Sequence, residues 1–132
     1  MTQSPDANLL VSQLRQLGQN LEQYVTVLGK LEYEKVEAEA EYRQVLEEYE
    51  DNLAQAFLAA NGGVEARKYT ARLQCAPSRN KRDEAKKDWQ HSEARVRTQF
   101  ASISALHRRI EIGRSMLSRE KTLMSLDGMG QP

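Results

Sequence analysis

The sequence predicts an all-α protein: a long antiparallel helical hairpin, coiled-coil-like, with a short intervening helix and with assembly into an oligomer. Two long segments carry apolar residues at alternating three- and four-residue spacing, and no segment alternates with the period of a strand. A glycine pair and a proline lie between the two segments. We expect one elongated domain, residues 1–132, with helices over about residues 5–60, 64–75 and 79–126.

The first long helix is predicted to begin at Pro5, after Ser4 as N-cap, and to end at Asn61-Gly62-Gly63. The three- and four-residue spacing of its apolar residues defines a seam that is predicted to face the other long helix. The seam contains Leu10, Leu14, Leu17, Leu21, Tyr24, Leu28, Leu31, Lys35, Ala38, Tyr42, Val45 and Tyr49, and it continues at Leu53, Ala56, Phe57 and Ala60.

The stretch "VEARKYTARL" after the glycines carries Val64, Tyr69 and Leu73 among helix-forming residues. It is too short to be stable in isolation, so we expect a short helix that folds only against the long ones. Two interpretations stay open for it: a binding surface, or a docked helix that packs Tyr69 and Leu73 against the end of the hairpin.

The second long helix is predicted to begin after Pro77, capped by Ser78 or by Asn80 with Asp83 in a capping box, and to stop at Asp127-Gly128. Its seam follows the same alternating spacing. The seam contains Ala85, Trp89, Ser92, Val96, Phe100, Ile103, Leu106, Ile110, Gly113, Leu117, Glu120 and Met124.

Catalytic and metal-binding patterns are weak in this chain. His107 and Glu111 lie one helical turn apart but lack a third ligand, and the single cysteine, Cys75, lacks a CxxC context. Nothing resembles a signal peptide or a membrane-spanning run, and mean hydropathy is −0.72. We therefore expect a cytoplasmic, non-enzymatic protein without metal, cofactor or membrane partner.

Charge is unevenly distributed along the chain. Residues 1–60 hold four Lys and Arg against eleven Asp and Glu, a net −7, whereas residues 61–132 hold fifteen against eight, a net +7. An antiparallel hairpin places the acidic residues 32–51 beside the basic start of the second long helix. We expect this pairing to neutralise much of the basic charge there and to select the register.

The candidate nucleic-acid interface combines the basic residues that this pairing leaves free, on the short helix and at the open end of the hairpin, with a basic stripe along the second long helix. Arg67, Lys68 and Arg72 surround Tyr69 on the short helix, and Lys86, Arg97, Arg108 and Arg119 recur every eleven residues, close to a whole number of helical turns. Such cations suit a phosphate backbone, and an exposed aromatic ring suits a stacked, unpaired base. The predicted nucleic-acid-binding residues are Arg67, Lys68, Tyr69, Arg72, Lys86, Arg97, Arg108, Arg109, Arg114 and Arg119.

Four aliphatic residues near the N-terminus lie outside the seam: Leu9, Val11, Val25 and Val27. They make the first helix apolar over a wider arc than one partner helix covers. We expect them to mediate homo-oligomerisation.

The helix order and charge placement resemble a known family. An acidic helix running "EYRQVLEEYEDNLAQAFLAANGG", the short "VEARKYTARL" and a basic helix ending "RRIEIGRSMLSREKTLMSL" look like the small helical proteins of phage recombination, similar to UvsY-type recombination mediators. The resemblance implies an oligomer that binds single-stranded DNA, remodels the single-strand-binding protein and helps to load a recombinase. In that family the basic cluster precedes the glycine loop, whereas here it follows Gly62-Gly63.

The sequence thus favours a non-enzymatic, single-stranded-DNA-binding mediator of phage recombination, acting in the host cytoplasm. The alternative is a coiled-coil adaptor, or a phage-encoded inhibitor of a host protein, that would use the same surfaces against another protein.

Overall fold

The computed structural model describes residues 5–129, and side-chain environments over residues 6–126. Three helices follow one another: α1 (Pro5–Ala59), α2 (Val64–Gln74) and α3 (Ala76–Met129). The described residues contain no strand, and α1 packs against α3. The predicted pair of long helices with a short helix between them is confirmed, whereas the predicted N-cap, Ser4, lies outside the described residues.

The contacts divide the chain into two compact units. The terminal unit comprises Met1–Gly29 and Arg97–Pro132, and the turn unit comprises Lys30–Val96. In the turn unit the Tyr42 and Trp89 rings stack with centroids 5.4 Å apart, and Asn52 Nδ2 donates to Ser78 Oγ at 2.8 Å. As the residue number rises along α1, from Tyr42 to Asn52, the number of the contacting residue on α3 falls, from Trp89 to Ser78. The two segments are therefore antiparallel.

The terminal unit repeats the antiparallel arrangement. Gln99 Nε2 donates to the Tyr24 carbonyl oxygen at 2.9 Å, and a Cβ added to Gly113 would lie 2.7 Å from Leu14 Cδ2. The missing side chain of Gly113 thus lets Leu14 approach the backbone of α3. Ile103, Leu106 and Ile110 are the buried residues of α3 in this unit.

Both predicted seams lie on the packed faces, with two exceptions. Tyr24 is 38 % exposed, and Phe100, placed in the seam of α3, is 50 % exposed. From Val96 a step of three residues reaches Gln99 and a step of four reaches Phe100, and both steps then lead to Ile103. In the structure Gln99 faces α1, where its side-chain amide donates to the Tyr24 carbonyl oxygen. The assignment of Phe100 to the seam is therefore wrong.

The boundary between α2 and α3 also differs from the prediction. A single residue, Cys75, separates the helices, and α3 begins at Ala76, three residues before the predicted start. Cys75 N–H donates to Ala71 O and Arg79 N–H donates to Cys75 O, so helical hydrogen bonding nearly spans the junction. Pro77 fits the first turn of α3 because no intrahelical partner is needed for its missing N–H. Pro77 is therefore not the break, and α3 also continues past Gly128 to Met129.

The change of direction takes place in the four residues between α1 and α2. Gly62 has φ +103°, and a Cβ there would lie 3.3 Å from the Cβ of Ala66. We expect Gly62→Ala to lower the free energy of unfolding by about 1–2 kcal/mol, because an L side chain is strained in this conformation. Urea unfolding followed by circular dichroism measures the loss.

Gly63 supplies the control for that substitution. It is the N-cap of α2 with φ −73°, an ordinary value, and it has open space around its Cα. Gly63→Ser should leave stability unchanged or raise it by a few tenths of a kcal/mol, since serine is a better N-cap than glycine. Equal effects at Gly62 and Gly63 would contradict the conformational explanation.

Candidate nucleic-acid interface

One face of α2 packs against the last turns of α1. Ala71 and Cys75 are buried, one helical turn apart, and Arg67 lies one turn before Ala71 with its guanidinium carbon 5.9 Å from the centre of the Phe57 ring. Two small side chains let the helices approach closely, and the stem of Arg67 covers apolar surface. α2 therefore docks through Arg67, Ala71 and Cys75.

The opposite face of α2 is exposed. Tyr69 is 66 % exposed and Leu73 is 60 % exposed. The interpretation that packs these two residues against the hairpin end is therefore wrong, because the side chains at Ala71 and Cys75 occupy the packed face instead. As a result, Tyr69 has a free ring face on which a planar group can stack. Ala71 and Cys75 lie four residues apart, but so do Tyr69 and Leu73, so spacing alone did not identify the packed face.

A shallow cleft lies beside α2 in the turn unit. Its floor is apolar, and its rim carries the charged residues Glu50, Lys68 and Arg72. The lining residues are Glu50, Leu53, Ala54, Phe57, Lys68, Ala71 and Arg72. Lys68 Nζ lies 3.8 Å from Glu65 Oε1, a long contact between exposed side chains, and Arg72 forms no ion pair within residues 5–129. An apolar floor with a cationic rim can accept the face of an unpaired base while its phosphate meets Lys68 and Arg72.

The predicted basic residues of α3 are all exposed. In the turn unit this applies to Lys86, and in the terminal unit it applies to Arg97, Arg108, Arg109, Arg114 and Arg119. None of the six takes part in an ion pair among the residues that the structure describes. Exposed Ala101 and Ser104 lie between Arg97 and Arg108 along the helix. Small side chains at these positions leave room for a backbone to approach the two arginines.

Direct ion pairs between the acidic stretch and the start of α3 are fewer than the sequence suggests. Of the basic residues at the start of α3, Arg95 pairs with the acidic stretch, with its Nη1 3.2 Å from Glu34 Oε2. Arg82 instead binds its neighbour Asp83 at 2.9 Å and stacks over Tyr49 at 4.5 Å. The hydrogen bond to Asp83 raises the pKa of Arg82, so this side chain stays a cation. Direct pairing therefore leaves most of the predicted interface available.

The surface between α1 and the start of α3 carries mostly acidic side chains. Glu41, Glu48, Glu84 and Asp88 line one shallow groove of the turn unit with Lys81. On α1, the Tyr33 hydroxyl donates to the Glu37 carboxylate, and this hydrogen bond raises the pKa of Tyr33. This acidic surface repels nucleic acid and so restricts where a phosphate backbone can bind.

Of the residues weighed for catalysis or metal binding, Cys75 is buried, whereas His107 and Glu111 are exposed. Within residues 5–129 no three side chains of His, Cys, Asp or Glu are grouped to hold a metal ion, and no helix there has a stretch long and apolar enough to cross a bilayer.

Exposed apolar residues occur on both long helices of the terminal unit. Leu9, Val25 and Val27 are exposed, and Val11 is half-buried. Sequence reasoning missed a second set on α3, namely Ile112, Met116, Leu123 and Leu126, each at least 50 % exposed. The signal was present as a second alternating series beside the seam: Ala105, Arg109, Ile112, Met116, Arg119, Leu123 and Leu126.

Comparison of the chain with protein-family models, with curated proteins and with solved structures finds no match.

Proposed function

We propose that this protein binds single-stranded nucleic acid through α2 and the basic face of α3, and that it acts, as an oligomer, as a mediator of phage-type recombination in the host cytoplasm. The observation that carries the proposal is the set of exposed cations without an ion pair in the described part of the chain. They are Arg72, Lys86, Arg97, Arg108, Arg109, Arg114 and Arg119.

Single strands suit this surface better than a duplex. Tyr69 offers a free ring on α2, and the neighbouring cleft offers an apolar floor beside Lys68 and Arg72. Both features suit unpaired bases, since in a duplex the faces of the bases are stacked on their neighbours and the Watson–Crick edges are paired. The recombinase and the single-strand-binding protein enter the proposal through the resemblance to UvsY-type mediators.

Fluorescence anisotropy with a labelled oligonucleotide tests the binding step. We expect affinity to fall between 50 and 200 mM salt, because binding releases counterions from the phosphates. Lys68→Ala with Arg72→Ala should weaken binding at 50 mM salt by about tenfold and flatten the salt dependence. These positions are better targets than Arg67, whose removal also uncovers Phe57.

Arg43→Ala is the matched control. Arg43 is exposed on α1 but is bonded to Glu39 at 2.8 Å, among acidic neighbours. Its removal should leave affinity within about twofold, since the acidic segment does not attract phosphate. If the assembled wild-type protein binds no oligonucleotide at either salt concentration, the proposal fails.

The second candidate is a protein-binding adaptor or inhibitor. The exposed apolar residues favour it, because Tyr69, Leu73, Ile112 and Met116 are each at least half exposed. Affinity capture with nuclease treatment separates the candidates. A stoichiometric partner that survives nuclease favours the adaptor, whereas recovery that nuclease abolishes favours nucleic-acid binding.

A further inference from the structure

An apolar groove runs between α1 and α3 in the terminal unit. Two adjoining depressions share Leu10, Gln13 and Met116 and together form this groove. Ile112, Met116 and Leu123 line its α3 side, and Leu9 lies on its α1 side, where Gln13 and Asn20 add amides. Leu9, Ile112 and Leu123 are each more than 55 % exposed, so the groove lacks a cover in the single chain.

α3 therefore carries two apolar faces in this unit. The first seam, through Ile103, Leu106 and Ile110, is buried against α1. The second series, through Ile112, Met116 and Leu123, borders the groove. A helix with two adjacent alternating series is typical of a bundle in which it contacts two partner helices.

Charge decides which helix fits the groove. Residues 97–126 of α3 hold six basic residues against two acidic ones, whereas residues 6–29 of α1 hold one against two. Packing α3 on α3 of another chain would bring two positive segments together. Packing α3 on α1 of another chain brings opposite charges together.

We propose that the groove binds a second copy of this chain, so that two terminal units form a four-helix bundle with α3 of each copy on α1 of the other. A two-fold axis parallel to the helices brings Leu9 of one copy level with Leu123 of the other. The same symmetry places Asp6 opposite Arg119, since these four residues line one depression in each copy.

In the dimer Arg119 therefore faces a carboxylate, and nucleic acid binds through cations outside the groove, such as Arg97 and Arg108. The dimer deepens the proposed function, because it names the partner and the face of the oligomer on which that function rests.

Light scattering on the full chain without nucleic acid tests the dimer. The wild type should have twice the mass of one 15.1 kDa chain. Met116→Asp with Leu123→Asp should raise the dissociation constant at least a hundredfold. Val36→Asp, at an exposed apolar position of α1 in the turn unit and outside the groove, should leave the dimer intact. A monomeric wild type, or a dimer that Val36→Asp breaks and the groove variant does not, overturns the proposal.

A charge exchange tests the pairing without removing apolar surface. Asp6→Arg alone and Arg119→Asp alone should each weaken the homodimer about tenfold, because like charges then face each other twice. A mixture of the two variants should form a heterodimer with wild-type affinity, because both contacts become attractive. No preference for the heterodimer would overturn the proposed arrangement.

Nucleic-acid binding is read separately on the same samples. A wild-type dimer that binds no oligonucleotide would refute the proposed function and leave the dimer standing. A wild-type monomer that binds oligonucleotide would refute the dimer and the oligomeric part of the proposed function, and would leave nucleic-acid binding standing.

Discussion

Leu31→Ala is expected to lower the free energy of unfolding by about 2–4 kcal/mol. Leu31 is 6 % exposed in the middle of α1, and its truncation removes buried methyl groups and leaves a cavity. Besides Leu31, the buried hydrophobic residues described in the turn unit are Ala60, Ala71, Cys75, Ala85 and Val96. Leu31 and Val96 are the bulky members of this set, and half-buried rings such as those of Tyr42 and Trp89 add to the packing.

Leu58→Ala is the matched control in the same helix and the same unit. Leu58 is 75 % exposed, and alanine favours helix at least as strongly as leucine, so stability should change by less than about 0.5 kcal/mol. Urea unfolding followed by circular dichroism gives both values, at one fixed protein concentration because any self-association adds to stability. Equal losses at Leu31 and Leu58 would contradict the burial that the structure assigns.

The fold was largely predictable because the three- and four-residue spacing of apolar residues identifies two amphipathic helices. Leu31, Val96 and Ile103 fall on the predicted seams and are buried. Predictions about the fold were wrong at Phe100 and at Pro77. The spacing of apolar residues allowed either Gln99 or Phe100 in the seam of α3, and Pro77, a residue that often interrupts helices, lies within the first turn of α3. A proline ends a helix that precedes it but is accepted in the first turn of a new one, so its position alone could not locate the start of α3.

The candidate site was less predictable than the fold. The exposure of Arg97 and Arg108 follows from their distance from the seam. Their lack of ion pairs could not be predicted from that distance. Pairing depends on the rotation of each helix and on side-chain geometry, and the structure gives Arg95 a partner and leaves Arg97 without one in the described chain. The short α2 offered too few turns to decide between the face of Tyr69 and that of Ala71.

Two arginines on α3 should contribute most to nucleic-acid affinity. Arg97 and Arg108 are exposed in the terminal unit, form no ion pair within residues 5–129 and do not line the apolar groove. Replacing both with alanine should reduce the slope of log affinity against log salt by about 1.4, or 0.7 for each phosphate contact. If wild type and variant bind equally well at 1 M salt, this change in slope makes the variant bind about 60-fold more weakly at 50 mM salt.

The salt series distinguishes this contribution from a change in fold or assembly. Because the effect is ionic, wild type and variant should converge as salt rises, whereas a misfolded variant would bind weakly at every concentration. Light scattering should give the variant the mass of the wild type, since neither arginine lies in the groove. Arg97→Lys with Arg108→Lys retains the charge and should keep the wild-type slope. If the lysine variant loses as much affinity as the alanine variant, the arginines contribute through shape or hydrogen-bond geometry, and the counterion-release explanation is refuted.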